Sequence, residues 1–308
     1  MDGREGWRPA WVDAELYPFA DRWSELPGEG LLHYVDEGTA RPGDGPVVFV
    51  HGTPTWSFEW RALIAGLSGT HRCLAPDHLG FGLSERPMGA EYTPQAHARR
   101  FQAWLEALDL TDVTLVVHDF GGPFGLPAAL EQPGRVKRLV VLNTFLWGTE
   151  DDPHLRKGAR FLGGGLGLFL YRHFNLSLKV LVPTSYADRK KLTPRIHDQY
   201  LAPFTGIDSR ERVLWALAHA LGMSSDWFAA QWERRAALAE LPALIVWGTL
   251  DKAFIPAHLA RWRTALPAAE VVELPVGHWP QEEAPAETLA AIAGFLERTR
   301  AAEAPNDP

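Results

Sequence analysis

The sequence contains one cysteine, Cys73, among its 308 residues. A lone cysteine excludes a disulfide bond within the chain and is typical of proteins from a reducing compartment. Apolar runs of about 18 residues, the length that a membrane-spanning helix requires, are also missing. The opening residues, MDGREGWRPAW, lack the apolar stretch of a signal peptide. We therefore expect a cytoplasmic protein without a membrane segment.

Positive charge is scarce as well. Lysine and arginine total 30 against 38 aspartates and glutamates, which gives a formal net charge of −8. Because no basic run resembles a phosphate-binding surface, we expect no nucleic acid partner. Hydrophobic residues make up 46% of the sequence, enough for one large core or for a core with an inserted unit.

Short runs rich in β-branched residues recur along the chain and predict strands: GLLHYVD, PVVFVHG, HRCLAPD, VTLVVHD, RLVVLNT, ALIVWGT and EVVELPVGH. Helical patterns separate most of them. One begins with Thr93 as N-cap and Pro94 at the first helical position, and extends through Leu108. Residues 286–300 predict a closing amphipathic helix. This alternation predicts an α/β fold with a mostly parallel central sheet and helices on both faces.

The alternation stops between about Asn143 and Leu241. Helix-like segments and loops fill that stretch, and no strand pattern interrupts them. Since the stretch is too long for a simple connection, we predict an inserted helical cap at residues 146–227. The core would then consist of residues 1–145 and 228–308.

A G-x-S-x-G motif, which carries the nucleophilic serine of many hydrolases, is absent. In its place, VVHDFGGPFG at residues 116–125 joins a strand pattern to a helix pattern. Gly121 and Gly122 allow the helix to pass close to the strand, so this turn predicts a nucleophile elbow that carries Asp119. A helix N-terminus favours an ionised carboxylate, as a nucleophile must be. The alternative is that Asp119 only caps the helix.

Two further residues follow strand patterns in the order that a catalytic triad requires. Asp251 lies in WGTLDKAF after one strand, and His278 lies in VGHW after the next. Nucleophile, acid and histidine in this chain order are typical of α/β-hydrolases. Taken singly, Asp251 would be a turn residue and His278 a loop histidine, but together with Asp119 they predict a triad.

The turn HGTPTW, residues 51–56, follows another predicted strand. Such a turn directs a backbone N–H towards the nucleophile. The N–H groups of Thr53 and Phe120 are therefore expected to form an oxyanion hole. A plain Gly-Pro turn is the alternative interpretation.

From about residue 30 to residue 300, the sequence resembles the haloalkane dehalogenases of the α/β-hydrolase superfamily. The resemblance rests on HGTPTWSFEWR, APDHLGFGLSERP, VVHDFGGPFGL, LNTFLW, YLAPF, WGTLDKAF and GHWPQEEAP. In one branch of this family the acidic residue of the triad follows the strand before the one that leads to Asp251, at the position of Asn143. An amide cannot serve as that acid, so Asp251 is the better assignment.

The resemblance implies a two-step mechanism without a metal or an organic cofactor. Asp119 displaces a leaving group from carbon and forms an alkyl-enzyme ester. His278, oriented by Asp251, then activates the water that hydrolyses this ester. The expected partners are a small apolar organic substrate and water, in a monomer or a homodimer.

The sequence departs from the family at the leaving group. Dehalogenases hold the halide with a tryptophan indole directly after the nucleophile and with an asparagine in the oxyanion turn or a tryptophan of the cap. Here the first position is Phe120 and the second is Thr53, neither of which supplies an indole or amide donor. Candidate residues for the substrate pocket are Trp56, Asn143, Trp147, Tyr171 and Trp279.

Three alternatives remain open. Epoxide hydrolases use the same kind of nucleophile with two cap tyrosines, and Tyr171, Tyr186 and Tyr200 are available, although no tyrosine follows residue 200. β-Lactone decarboxylases resemble the same branch and need no halide donors. The third alternative is a ligand-binding protein without activity, against which the complete triad argues.

Overall fold

Eight strands form one sheet in the computed structural model, which describes residues 8–41 and 43–303. The strands are β1 Arg22–Leu26, β2 Gly30–Glu37, β3 Val47–Val50, β4 Cys73–Pro76, β5 Val113–Asp119, β6 Val136–Thr144, β7 Ala243–Gly248 and β8 Glu270–Leu274. Their order in the sheet is β1-β2-β4-β3-β5-β6-β7-β8. The pairs β1/β2 and β2/β4 are antiparallel, and all the others are parallel. The predicted mostly parallel sheet is confirmed.

Three of the central strands are buried along their whole length, which explains why their sequences are mostly apolar runs. Every residue of β3, β5 and β7 is buried, as expected for parallel strands covered on both faces. The edge strand β1 has a weaker pattern, RWSEL, and the sequence analysis did not predict it.

Helices follow most of the strands and cover the sheet. Those of the α/β core are α1 Arg61–Leu67, α2 Pro94–Ala107 and α3 Gly121–Glu131, together with α12 Pro256–Ala265, α13 Pro280–Glu283 and α14 Pro285–Glu303 near the C-terminus. Helix α2 begins as predicted, because the Thr93 hydroxyl accepts a hydrogen bond from the Ala96 N–H and Pro94 occupies the first turn. Helix α1 packs against α14, and α2 packs against α3.

Between β6 and β7, residues 145–242 contain helices and loops and no strand. The α-helices are α4 Pro153–Leu162, α5 Gly165–Phe174, α6 Val182–Ser185, α7 Pro194–Leu201, α8 Ile207–Ser209, α9 Ala216–Met223, α10 Ser225–Glu233 and α11 Ala236–Ala239. Two π-helical turns, Ser177–Leu181 and Arg210–Trp215, adjoin them. The predicted boundary after residue 227 falls inside α10, so a continuous helix crosses it.

None of the helices in the described residues is both long enough and apolar enough to cross a membrane. The expected absence of a signal peptide concerns a segment whose first residues, 1–7, lie outside the described residues.

The sheet topology brings the predicted site residues to one edge. Asp119 is the last residue of β5, and Asn143 is the penultimate residue of the neighbouring strand β6. Asp251 and His278 follow β7 and β8, the next two strands across the sheet. Because these strands are parallel, all four residues lie at the carboxyl edge of the sheet, where open α/β sheets bind ligands.

Candidate active site

Asp119 stands on a strained turn between β5 and α3. Its φ of 51° lies in the left-handed region, which is unusual for a residue other than glycine. The turn leaves no room for a side chain two residues after Asp119, since a Cβ on Gly121 would lie 2.1 Å from the Val50 carbonyl oxygen. The Thr144 hydroxyl donates to the Asp119 backbone carbonyl and ties the turn to β6. This is the geometry expected of a nucleophile elbow.

The turn after β3 approaches the Asp119 side chain closely. The Thr53 N–H donates to Asp119 Oδ1 over 2.9 Å. A Cβ on Gly52 would lie 2.4 Å from that oxygen and 2.6 Å from the Phe120 nitrogen, so only glycine fits between them. Of the two N–H groups predicted for the oxyanion hole, that of Thr53 contacts the Asp119 carboxylate, and the Phe120 nitrogen lies close to the same turn at Gly52.

The three predicted triad residues are connected through His278. His278 Nδ1 lies 2.8 Å from Asp251 Oδ2, and His278 Nε2 lies 3.5 Å from Asp119 Oδ2. All three side chains are buried. The imidazole thus stands between two carboxylates, with one nitrogen towards each.

Asn143 takes part in the site in a way that the sequence analysis missed. It was predicted to line the substrate pocket, and the structure corrects this. Its amide Nδ2 donates to Asp251 Oδ2 over 2.8 Å and to the Gly248 carbonyl over 3.1 Å, while Oδ1 accepts from the Gly248 N–H over 2.7 Å. Asn143 is therefore a positioning residue that orients Asp251.

The charges of the site shift the pKa values of its members. Burial would lower the pKa of His278, but the Asp251 and Asp119 carboxylates outweigh burial and raise it to about 10. Burial would raise the pKa of Asp251, yet the His278 charge, with hydrogen bonds from His278, the Ala253 N–H and Asn143, holds it below its ordinary value. The site therefore favours an imidazolium between carboxylates at neutral pH.

A cavity of about 300 Å³ opens in front of Asp119 and His278, beneath the helices that follow β6. Of the predicted residues, Thr53, Phe120, Tyr171 and Trp279 line it together with Asp119 and His278. Further residues of the wall, which the sequence analysis did not single out, include Phe145, Leu155, Ser177, Leu181, Ser185 and Phe254. Most of these side chains are apolar, as in sites for small organic ligands.

Two predicted pocket residues lie elsewhere, and the structure corrects both. The Trp56 indole donates to the Gln199 carbonyl over 2.9 Å, and the Trp147 indole donates to Asp152 Oδ2 over 3.0 Å. Neither lines the cavity, because both rings are fully buried among other aromatic side chains of the core.

Comparison with known proteins agrees with this geometry. Residues 45–285 match the family model described as the alpha/beta hydrolase fold. Haloalkane dehalogenase 2 of Mycobacterium tuberculosis is 33% identical over 286 residues, which cover 91% of this chain and 96% of the relative. The chain belongs to the haloalkane dehalogenase-like α/β-hydrolases. The family and enzyme class predicted from the sequence are confirmed.

Other relatives of this α/β-hydrolase have different names. A cis-3-alkyl-4-alkyloxetan-2-one decarboxylase of Shewanella oneidensis is 34% identical over 305 residues, covering 92% of this chain and 90% of the relative. Among solved structures, haloalkane dehalogenase DatA from Agrobacterium tumefaciens superposes with a TM-score of 0.81 at 28% identity, covering 93% of this chain and 99% of that one.

Around Asp119, the described residues of this α/β-hydrolase place no uncommitted indole donor in the cavity wall. Phe120 occupies the position after Asp119 and presents only carbon. Trp279 is the tryptophan of the described cavity wall, and its indole N–H is already committed to Ser185 Oγ over 2.6 Å. The departure seen in the sequence is therefore present in three dimensions.

Phe254 is a residue that the sequence could have suggested, because it lies three positions after Asp251 in WGTLDKAF. Its ring stacks on the His278 imidazole with centroids 5.5 Å apart and an interplanar angle of 28°. The Ala253 N–H beside it donates to Asp251 Oδ1. The loop after β7 thus fixes the Asp251 carboxylate and covers one face of the His278 ring.

Proposed function

We propose that this enzyme attacks an electrophilic carbon with Asp119 and then hydrolyses the alkyl-enzyme ester with a water activated by His278. The single observation that carries the proposal is the Asp251–His278–Asp119 arrangement at the wall of an apolar cavity. The substrate would be a small apolar organic molecule, because the cavity measures about 300 Å³ and its wall is mostly carbon.

The charge state of His278 supports this order of steps. While Asp119 is ionised, two carboxylates hold the His278 pKa at about 10 and the imidazole keeps its proton. Formation of the ester removes the negative charge of Asp119, and the His278 pKa falls because one of its two stabilising charges has gone. The neutral imidazole then accepts a proton from water, as the second step requires.

The Thr53 N–H supports the second step. It already donates to an oxygen of the Asp119 side chain, so it is in contact with the group that gains negative charge when water attacks the ester. Loss of one such donor typically costs about 10²–10³ in rate.

We further propose that the helical segment predicted at residues 146–227 acts as the cap of this site. Tyr171 on α5 and Ser177 and Leu181 on the following π-helical turn contribute to the cavity wall, which supports this role. The cap would then decide which substrates fit.

Trapping of the covalent intermediate tests the mechanism. His278→Ala incubated with 1-bromohexane, 1,2-epoxyhexane or a β-lactone is expected to accumulate an adduct on Asp119, because alkylation proceeds and hydrolysis does not. Intact-protein mass spectrometry detects the adduct, and peptide mapping locates it. Asp119→Asn is the matched control and should acquire no adduct; labelling of that variant to the same extent would contradict the proposal.

A second candidate function is decarboxylation of a β-lactone. The cis-3-alkyl-4-alkyloxetan-2-one decarboxylases of Shewanella oneidensis and Xanthomonas campestris are 34% and 33% identical to this chain, as similar as the dehalogenase relative. The absence of an indole donor at Phe120 also favours a leaving group other than halide. Formation of an alkene and carbon dioxide from a cis-3,4-dialkyl-β-lactone would support this candidate over hydrolysis.

A further inference from the structure

The outward side of α5 is apolar, although the helix lies on the surface of the protein. Only Gly167 and Tyr171 of its ten residues are buried. On the opposite side, Leu166 and Phe169 lie one turn apart and are 61% and 50% exposed. A surface helix normally presents charged or polar residues to solvent. The apolar residues on this side of α5 therefore need an explanation other than packing in the core.

Neighbouring segments extend this apolar surface. The described residues expose nine large hydrophobic side chains, and five of them lie within residues 161–180: Phe161, Leu166, Phe169, Phe174 and Val180. The rings of Phe169 and Phe174 are in contact, with centroids 5.9 Å apart. We call these five side chains the α4–α5 face. Exposed apolar side chains grouped in this way mark a surface that interacts with a partner or a membrane.

Basic residues accompany the α4–α5 face, although the protein as a whole is acidic. Residues 153–187 contain five lysines and arginines and no aspartate or glutamate, whereas the whole chain has a formal net charge of −8. Lys157, Arg160 and Phe161 lie on one side of α4 at i, i+3 and i+4, and all three are exposed. Lys179 is exposed on the π-helical turn. Among the described residues, no carboxylate forms an ion pair with these three cations.

Exposed apolar side chains beside unpaired cations fit an anionic lipid surface. Helices that lie on bilayers place their apolar side among the acyl chains and their lysines and arginines at the anionic head groups. A second copy of the chain fits less well. A two-fold interface through the α4–α5 face would bring the cations of both copies together, and like charges repel.

The α4–α5 face also continues into the wall of the cavity. Leu162 follows Phe161 in the chain, and Leu181 follows Val180; both leucines line the cavity and are themselves only half-buried. Apolar surface therefore extends from the exposed side of these helices to the space in front of Asp119. A contact with lipid at this face would bring the cavity next to an apolar phase.

We propose that the α4–α5 face docks peripherally on an anionic lipid surface. A contact of this kind requires no spanning helix, because the helices lie in the plane of the membrane interface. It agrees with the expectation of a chain without a membrane segment. The proposal goes beyond the proposed function, since docking concerns a surface of the protein and does not depend on the reaction at Asp119.

Co-sedimentation of the full chain with vesicles tests the docking. Vesicles of phosphatidylglycerol and phosphatidylcholine in equal parts should bind the protein at low ionic strength. Vesicles of phosphatidylcholine alone should bind about tenfold more weakly or worse, since two or three lysines or arginines near an anionic surface contribute about fivefold each. Salt at about 1 M, where the Debye length is about 3 Å, should remove most of this difference.

Paired variants locate the contact. Arg160→Glu should weaken binding to the anionic vesicles by about fivefold or more, because an attraction is replaced by a repulsion. Arg22→Glu, at an exposed position on the edge strand β1, is the matched control and should bind within about twofold of the wild type. Phe169→Ser should weaken binding by about fivefold, since less apolar surface enters the lipid. Phe169→Trp should bind as well as the wild type, because tryptophan favours the membrane interface.

Three results would overturn the proposal. The first is the absence of binding to the anionic vesicles at low ionic strength. The second is equal binding of Arg160→Glu and Arg22→Glu, which would place the contact elsewhere. The third is a dimer in sedimentation velocity that Phe169→Ser abolishes, without any vesicle binding, which would assign the face to a second copy of the chain. None of them bears on Asp119, whose mechanism is tested by the adduct in His278→Ala.

Discussion

At the scale of single residues, the Asp119 carboxylate helps to set the charge of His278. Their side chains are 3.5 Å apart, and Asp251 lies on the other side of the imidazole at 2.8 Å. A histidine between two carboxylates keeps its proton at neutral pH, whereas a histidine beside one carboxylate and one ester is closer to its ordinary pKa. In the proposed mechanism, the same imidazole is the counter-ion of Asp119 in the resting site and the base that activates water once the ester has formed.

This predicts a measurable pKa change in Asp119→Asn, which mimics the neutral ester. The pKa of His278, about 10 in the unmodified site, should fall by about one to three units when one neighbouring charge is removed. A pH titration followed by NMR of ring-labelled histidine measures the shift. His258, whose partner is Asp152 at 2.8 Å, is an internal control and should not move. An unchanged His278 pKa would contradict the proposed charge coupling.

At the scale of secondary-structure elements, the segment after α6 is fastened to the loop that carries His278. The buried Glu283 carboxylate accepts hydrogen bonds from the Gly277 N–H at 2.8 Å, the Ala187 N–H at 2.9 Å and the Asp188 N–H at 3.0 Å. The His278 N–H also donates to the Ser185 carbonyl over 3.0 Å. The helical segment and the loop that carries His278 therefore form one hydrogen-bonded unit.

Glu283→Gln should weaken this unit. An amide supplies one acceptor oxygen, so at least one buried N–H would face an NH2 group and lose its partner, at a cost of about 1–3 kcal/mol in unfolding free energy. Urea denaturation measures this loss, and kcat should fall as well because the His278 loop is less well held. Glu233→Gln, at an exposed position on α10, is the matched control. Equal stability of the two variants would show that the Glu283 contacts contribute little.

At the scale of the whole molecule, two buried histidines with raised pKa values link stability to pH. His278 lies between Asp119 and Asp251, and His33 contacts Asp77 at 2.9 Å and Asp21 at 3.0 Å. For both, burial lowers the pKa, but the carboxylates outweigh it. A group whose folded-state pKa is raised contributes stability that is complete below the unfolded value of 6.5 and is lost as pH rises through the folded value.

The unfolding free energy should accordingly decrease from about pH 7 to about pH 9, because the folded protein retains protons that the unfolded chain has released. Guanidinium denaturation across that range measures the slope. His278→Gln should have a shallower slope than the wild type, since one of the two proton-binding groups is gone. A wild-type free energy that is flat or rises over this range would contradict the raised histidine pKa values.

Much of the fold could be predicted from local sequence. Buried parallel strands require continuous β-branched runs, so β3, β5 and β7 were recognisable, and a Thr-Pro pair marked the start of α2. The edge strand β1 was missed because half-exposed strands need no such pattern. The elbow was also recognisable, since a tight strand-to-helix turn requires glycine at fixed positions around Asp119.

By itself, the sequence determined that Asp119, Asp251 and His278 lie at or after the ends of parallel strands, because the strands and the turns that follow them can be recognised from local patterns. Tertiary structure alone decided which side chains meet. Asn143 was expected to line the pocket, but its amide orients Asp251. Trp56 and Trp147 were also expected there, but they pack in the core. Ser177, which was not predicted, lines the cavity together with Tyr171. The physical reason is that a side chain's direction and partners depend on the packing of distant elements, which no local pattern encodes.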